Sequence, residues 1–317
     1  IIKTREDDKP FCFVEAEKSQ DEVAGNSQEG SIRFNISEGC TKPSWASDDT
    51  FDRSVLRQRI EPWLTSLFQS DHLSLLAGSG LTHAIHGIVT GTGAAGMNSV
   101  ELGVLDDEIN KAANESSDKA GRKQGNIEDQ LRTAYELLKG WEILKDPRAA
   151  VLAGKLEETM QSFAESILES ERNIANNINK RNNSTKEAEE AKEADVEPEI
   201  NNEYLREEAF NMLVSFLMSF ASRVGARDRL NIFTTNYDRL IEAGAELAGI
   251  HLLDRFVGNL FPLFRSSRLD LDIHYNPPGV RGEPRYLEGV VRYSKLHGSV
   301  DWLQTGDDIR RFGLPFG

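Results

Sequence analysis

Apolar positions along the chain follow two rhythms, and the changes between them outline the architecture. From Phe51, the positions Val55, Leu56, Ile60, Trp63, Leu64, Leu67 and Phe68 recur at helical spacing and predict a short amphipathic helix leading into the fold, its stripe packed on a core. Leu73-Ser-Leu-Leu-Ala77 is a short apolar run stopped by Gly78-Ser79-Gly80, and an apolar stretch from Leu81 follows, so strand, glycine turn and helix are expected. From Asn98 to Gly225 the period is 3.6. Ile127, Leu131, Ala134, Leu138 and then Leu156, Met160, Phe163, Ile167 mark successive helices.

Within that helical region Asn182 to Glu199 has almost nothing to bury and reads as a solvated helix end or mobile loop. Glu203 to Arg223 is apolar nearly all round, which predicts a helix buried on several sides or in an oligomer interface, ending at Gly225 as a cap. Leu230-Asn-Ile-Phe-Thr-Thr235 is a second strand, followed by the polar turn Asn236-Tyr237-Asp238 and a helix. Phe256 to Glu288, with Pro262, Pro277, Pro278 and Pro284, reads as a long irregular excursion. Val290 to Leu296 forms a third strand ending at His297-Gly298-Ser299. Residues before Asp52 show few periodic apolar positions and read as an extended arm or partly ordered prelude.

Composition narrows the class. The 317 residues are 38% hydrophobic, and Lys plus Arg number 37 against 52 Asp plus Glu, a formal charge of −15. Such acidity argues against duplex nucleic acid as a direct ligand, because that binding runs on cations neutralising phosphates. It does not argue against a nucleotide, since backbone amides at a helix start bind phosphate whatever the net charge. No apolar run approaches a membrane helix and the charged start gives no signal-peptide core, so a cytoplasmic chain is expected. Cys12 and Cys40 are too few for a disulfide framework or a four-thiolate zinc site, and idle thiols are expected.

The chemistry is expected where the three strands end. Ligands of open parallel sheets bind outside the carboxyl ends of the strands, so turns distant in sequence can share one crevice. Gly78 and Gly80 let backbone approach a pyrophosphate at a helix start, and Ser79 and Thr82 can add contacts, although glycine turns after strands are common for structural reasons alone. Asn236 offers a donor and an acceptor to a ribose hydroxyl or a water. Asp238 suits a ligand contact and helix capping equally. His297 at a strand end is placed for a base near neutral pH, or for a structural imidazole.

Together these turns resemble the sirtuin superfamily, in the divergent branch found in bacterial anti-phage defence proteins. Gly78-Ser-Gly-Leu-Thr82 is similar to the family's Gly-Ala-Gly-x-Ser turn, Thr235-Asn236-Tyr237-Asp238 to its Gln-Asn-Ile-Asp motif, and Lys295-Leu-His297-Gly-Ser-Val-Asp-Trp302 to its His-Gly turn. The resemblance implies a sirtuin-like α/β fold with a Rossmann-like parallel sheet and a large helical insertion at 98–225. On that division residues 1–70 form an arm and lead-in helix, and 71–97 with 226–317 the nucleotide-binding core.

The resemblance further implies that NAD+ is the substrate. Gly78, Ser79, Gly80 and Thr82 would cradle phosphate and ribose, with Thr235 beside them. Asn236 would position water or ribose, Asp238 would recognise the nicotinamide carboxamide, and His297 would be the base. Two departures favour hydrolysis over deacylation: the cysteines for the deacylases' zinc module are missing, and so is the Pro-Asp-Phe-Arg segment that normally follows the first turn. Only 15 residues follow Trp302, where the family usually continues with another strand and glycine turn, so either the C-terminus is cut short or adenosine binding is incomplete or borrowed. The expected activity is therefore an NAD+ glycohydrolase without zinc, acting in defence as a homo-oligomer, with a HerA-type ATPase as a candidate partner. The alternatives are a non-catalytic NAD+ or ADP-ribose sensor and a deacylase. Gly91-Thr-Gly-Ala-Ala-Gly96 matches a dinucleotide fingerprint but sits behind a helix, and reads instead as a loop over the nicotinamide pocket. His83 and His86 have helical spacing for a metal pair but no carboxylate or thiolate to complete it.

Overall fold

The computed structural model describes residues 13–15, 33–36, 42, 48, 50–122, 124–176, 202–223, 227–267, 271–275 and 285–317. The chain divides into two compact units, Ile1–Leu73 and Ser74–Gly317.

In the first unit, β1 (Phe13–Glu15), β2 (Arg33–Ile36) and β3 (Thr50–Asp52) form an antiparallel sheet in that order, and α1 (Arg53–Phe68) follows directly. Asp52 caps this helix, its carboxylate accepting from Val55 N at 3.1 Å. Phe51 and Leu56 are buried with Phe34, Ile36, Val55 and Ile60 around them. Where its strands are described, the stretch before α1 is paired into this sheet. Strands of three or four residues carry too few alternations to register as a period, but two of them bring phenylalanines to a shared core.

The second unit is α/β. Its central sheet is parallel throughout, with β4 (Ser74–Ala77), β5 (Asn231–Thr234), β6 (His251–Leu253) and β11 (Val290–Lys295) in the order β4-β5-β11-β6, compatible with a Rossmann-like arrangement. One face holds buried Ala77, Ile232, Thr234, Val291 and Tyr293, while Leu76 on the opposite face is 70% exposed. In the register, Ala77 and Lys295 both flank Thr234. The three strands therefore stop level with one another, and the turns after them leave the sheet from one row.

Helices fill the long connection between β4 and β5: α2 (Ser79–Thr90), α3 (Asp106–Lys119), α4 (Ile127–Leu144), α5 (Arg148–Ala175) and α6 (Asn202–Ala221). Leu102, Ile109, Ala134, Leu138, Trp141, Leu152 and Leu156 form a core shared by α3, α4 and α5. α6 packs against α2 and α7 (Leu240–Ala248), burying Ala209, Leu213, Leu217 and Ala221. Tyr204, Met212, Phe216 and Met218 on this helix are exposed, so among the described residues it is covered on one side. Gly244 makes the contact with α7 possible: a Cβ there would lie 2.8 Å from the side chains of Leu213 and Leu217. Gly225 and the Asn182–Glu199 stretch lie outside the described residues.

Short strands follow β6. β7 (Phe256–Val257), β8 (Leu263–Phe264), β12 (Trp302–Thr305) and β13 (Asp308–Arg311) form an antiparallel sheet in the order β12-β13-β8-β7, and β9 (His274–Tyr275) pairs with β10 (Arg285–Tyr286). Phe256 lies 5.5 Å from Phe264 and 5.1 Å from Trp302, ring to ring. Within the expected excursion itself, the described strands β7, β8, β9 and β10 are two residues long each. Residues 268–270 and 276–284 of the excursion lie outside the described set. Among the described residues no helix is long and apolar enough to cross a membrane.

Candidate functional site

A cavity of about 310 Å3 opens at the row where β4, β5 and β11 end. Ser79 and Thr82 reach it from the first turn, Thr235, Asn236, Tyr237 and Asp238 from the second, and His297 from the third. Gly78 is the extended cap before α2, and a Cβ on Gly80 would meet no atom within 4 Å, so the start of α2 has open space beside it. Thus Ser79, Thr82, Thr235, Asn236, Asp238 and His297 meet at one cavity, whereas Gly78 and Gly80 flank Ser79 in sequence without lining it.

The second turn is built from hydrogen bonds among these same side chains. Asn236 Nδ2 donates to Gly78 O at 3.0 Å and to Thr82 Oγ1 at 2.9 Å. A carbonyl can only accept, which fixes the orientation of the amide and leaves Asn236 Oδ1 without a donor among the described residues. Thr82 passes its own hydrogen to Asp238 Oδ2 at 2.7 Å, and Asp238 Oδ1 accepts from Leu240 N at 3.1 Å. Asp238 therefore caps the helix after it, and the Thr82 hydroxyl hydrogen is committed within the protein. Beneath the turn, Lys295 Nζ donates to Asp238 O at 2.5 Å and to Ser299 Oγ at 2.8 Å, and pairs with Glu242 at 2.9 Å. Burial pushes the Glu242 carboxyl up, with Lys295 opposing, and burial followed by Glu242 pushes the Tyr293 phenol up.

The third turn needs its glycine. Gly298 has φ +108°, a conformation that L side chains rarely adopt, and it lets Val300 N return to Tyr237 O at 3.0 Å. His297 is exposed at the mouth, its Nδ1 2.8 Å from Glu128 Oε1.

Several contributors came from the helical stretch and carry no local signature. Glu128 starts α4, where Asn126 and Asp129 form a capping box. Phe163 and Ile167 of α5, whose spacing reads as core, face the cavity instead. Glu171 is 2% exposed and pairs with Arg239 at 2.5 Å while also accepting from Arg239 N at 2.7 Å, so α5 holds the end of the second turn. Burial lowers the Arg239 pKa and Glu171 raises it, with a net rise that keeps the guanidinium charged. Ser170 Oγ accepts from Ala95 N at 3.1 Å, binding the loop after α2 to the same helix. Only the partial 3.6 period of α5 hinted at these roles.

That loop is Gly91 to Gly96. Gly91 caps α2 in the left-handed region, and Ala94 to Met97 line the cavity, so the segment follows a helix rather than a strand and wraps the pocket. His83 Nδ1 accepts from Ala94 N at 3.0 Å, whereas buried His86 lies against Thr90 and Thr92, so the two histidines are engaged separately. Among the described residues no group of three or more His, Cys, Asp or Glu is placed to hold a metal. Cys12 and Cys40 lie outside those residues.

Compared with known proteins, the chain matches no family model and no curated protein.

Proposed function

We propose that the protein is a sirtuin-like NAD+ glycohydrolase, cleaving the bond between nicotinamide and ribose to give nicotinamide and ADP-ribose. The observation that carries this reading is the level ending of β4, β5 and β11, which puts Asn236 and His297 on the wall of one cavity although 61 positions separate them. At about 310 Å3 the cavity is at the lower end of the ~300–1,000 Å3 range of small-molecule sites, a size suited to the nicotinamide and ribose end of the molecule.

The chemistry asked of the site is modest. The glycosidic C–N bond breaks with its electron pair passing to the pyridinium nitrogen, so nicotinamide leaves neutral and the ribose becomes oxocarbenium-like. Water then adds at the anomeric carbon and gives up its proton to His297. Asn236 Oδ1 holds that water or a ribose hydroxyl, and Ser79 with the open start of α2 meets phosphate. Asp238 has its carboxylate fixed by Thr82 and Leu240 N, so it would contact the carboxamide from a rigid position.

Purified protein incubated with NAD+ tests the proposal. Nicotinamide and ADP-ribose should appear, and both should be lost in His297→Ala and Asn236→Ala. Saturable NAD+ binding without products would favour the sensor, and release only with an acylated peptide would favour the deacylase. We propose further that the chain acts as an anti-phage effector in a homo-oligomer, which the exposed apolar residues of α6 support. A HerA-type ATPase partner rests on the resemblance alone.

A further inference from the structure

Glu128 belongs to none of the three turns, yet it touches the residue on which hydrolysis would depend. Its position is set locally. The capping box of Asn126 and Asp129 fixes the first turn of α4, Ile127 N donates to Met97 O at 3.3 Å, and Asp129 pairs with Arg122 at 2.9 Å and Arg132 at 3.1 Å. In that register Glu128 lines the cavity. Its Oε1 accepts from the Tyr237 hydroxyl at 2.7 Å and lies 2.8 Å from His297 Nδ1.

The placement of hydrogens follows from this geometry. An ionised carboxylate has none to give. Burial, then Glu128 itself, pushes the Tyr237 phenol up, so that group keeps its hydrogen and donates it. The hydrogen between Glu128 and His297 must therefore sit on Nδ1. A neutral imidazole carries one N–H, which leaves the lone pair on Nε2.

We infer that Glu128 is a positioning residue for His297: it fixes the ring as the Nδ1–H tautomer and so makes Nε2 the proton acceptor. The catalytic use of that lone pair rests on the NAD+ hydrolase reading, whereas the tautomer does not. Without an acceptor at Nδ1, neutral imidazole favours the Nε2–H form, which has no lone pair at that nitrogen. Because one carboxylate oxygen holds both Tyr237 and His297, the helical insertion would tie the second and third turns together and set the protonation pattern of the base.

Histidine-selective 15N labelling tests this, since two-bond 1H–15N correlations distinguish a protonated ring nitrogen from one bearing a lone pair. The His297 signals are assigned by their loss in His297→Gln. The wild-type ring should be protonated at Nδ1, and in Glu128→Ala it should pass predominantly to Nε2–H. Glu128→Met, which keeps the side-chain length but offers no comparable acceptor, gives the same reading if the alanine variant fails to fold. With NAD+, the acceptor-free variant should lower kcat about 100-fold with KM within about threefold. A wild-type ring protonated at Nε2, or an unchanged pattern in the acceptor-free variant, would overturn the inference, as would a changed tautomer with undiminished kcat in an enzyme that turns over. If the wild type cleaves no NAD+, the hydrolase reading fails, but the ring nitrogens still decide the role of Glu128.

Discussion

Thr82 donates its hydroxyl hydrogen to Asp238 Oδ2 at 2.7 Å, joining the first helix turn after β4 to the polar turn after β5 across 156 positions of sequence. The same hydroxyl accepts from Asn236, so a single threonine gathers two of the three turns. Thr82→Val keeps the shape but leaves the buried Asp238 oxygen and the Asn236 amide each short of a partner. We expect a loss of about 1–3 kcal/mol in urea unfolding. A change below about 0.5 kcal/mol would show that water replaces the hydroxyl.

Gly80 separates folding from ligand approach. It sits in the first turn of α2 with nothing within 4 Å of an added Cβ, so Gly80→Ala should leave stability unchanged or raise it by up to about 1 kcal/mol. If phosphate closes on this backbone, the methyl stands in its way, and KM for NAD+ should rise about tenfold, equivalent to ~1.4 kcal/mol. An unaltered KM would remove Gly80 from the cradle.

The buried pair of Glu171 and Arg239 links α5 to the second turn. Glu171→Ala strands a guanidinium in the interior and takes the acceptor from Arg239 N, and should cost about 3–5 kcal/mol in chemical denaturation. Substituting both residues together should cost less than the sum of the two single changes, because neither charge is then left alone.

Gly244→Ala tests the packing of α6 on α7. The added Cβ falls 2.8 Å from the side chains of Leu213 and Leu217, which should destabilise the fold by about 1–3 kcal/mol. Gly244→Ala combined with Leu213→Ala should cost less than the sum of the two single changes, because the shortened side chain makes room for part of the new methyl.

Tyr293 gives a signed pH dependence. Its phenol is raised well above the ordinary value, so above about pH 10 the unfolded chain gives up a proton that the folded chain keeps. The contribution is therefore fully present below about pH 10 and is lost as pH rises through the folded value, at up to ~1.4 kcal/mol per pH unit. Tyr293→Phe should remove that slope while costing about 1 kcal/mol near neutrality through the lost bond to Glu242. Unfolding midpoints at about pH 8 and about pH 11 for both proteins give the comparison.

The sequence by itself determined the local pieces. Short apolar runs ending in Gly78-Ser79-Gly80, Thr235-Asn236 and His297-Gly298 mark strands and the turns after them, because alternation, glycine and side-chain amides act over a few neighbouring residues. Only the tertiary structure decided what those turns share. The level register of Ala77, Thr234 and Lys295 depends on strand pairing between segments more than fifty positions apart, and no local pattern encodes it. Glu128, Ser170 and Glu171 were hidden for a related reason. On a charged helix a carboxylate that holds a cavity-lining turn has the same spacing and chemistry as one that faces water, and the difference appears only when α4 and α5 pack beside the strand ends. The small antiparallel sheets formed by β1 to β3 and by β7, β8, β12 and β13 escaped notice because strands of two to four residues carry almost no period of their own and take their order from their partners.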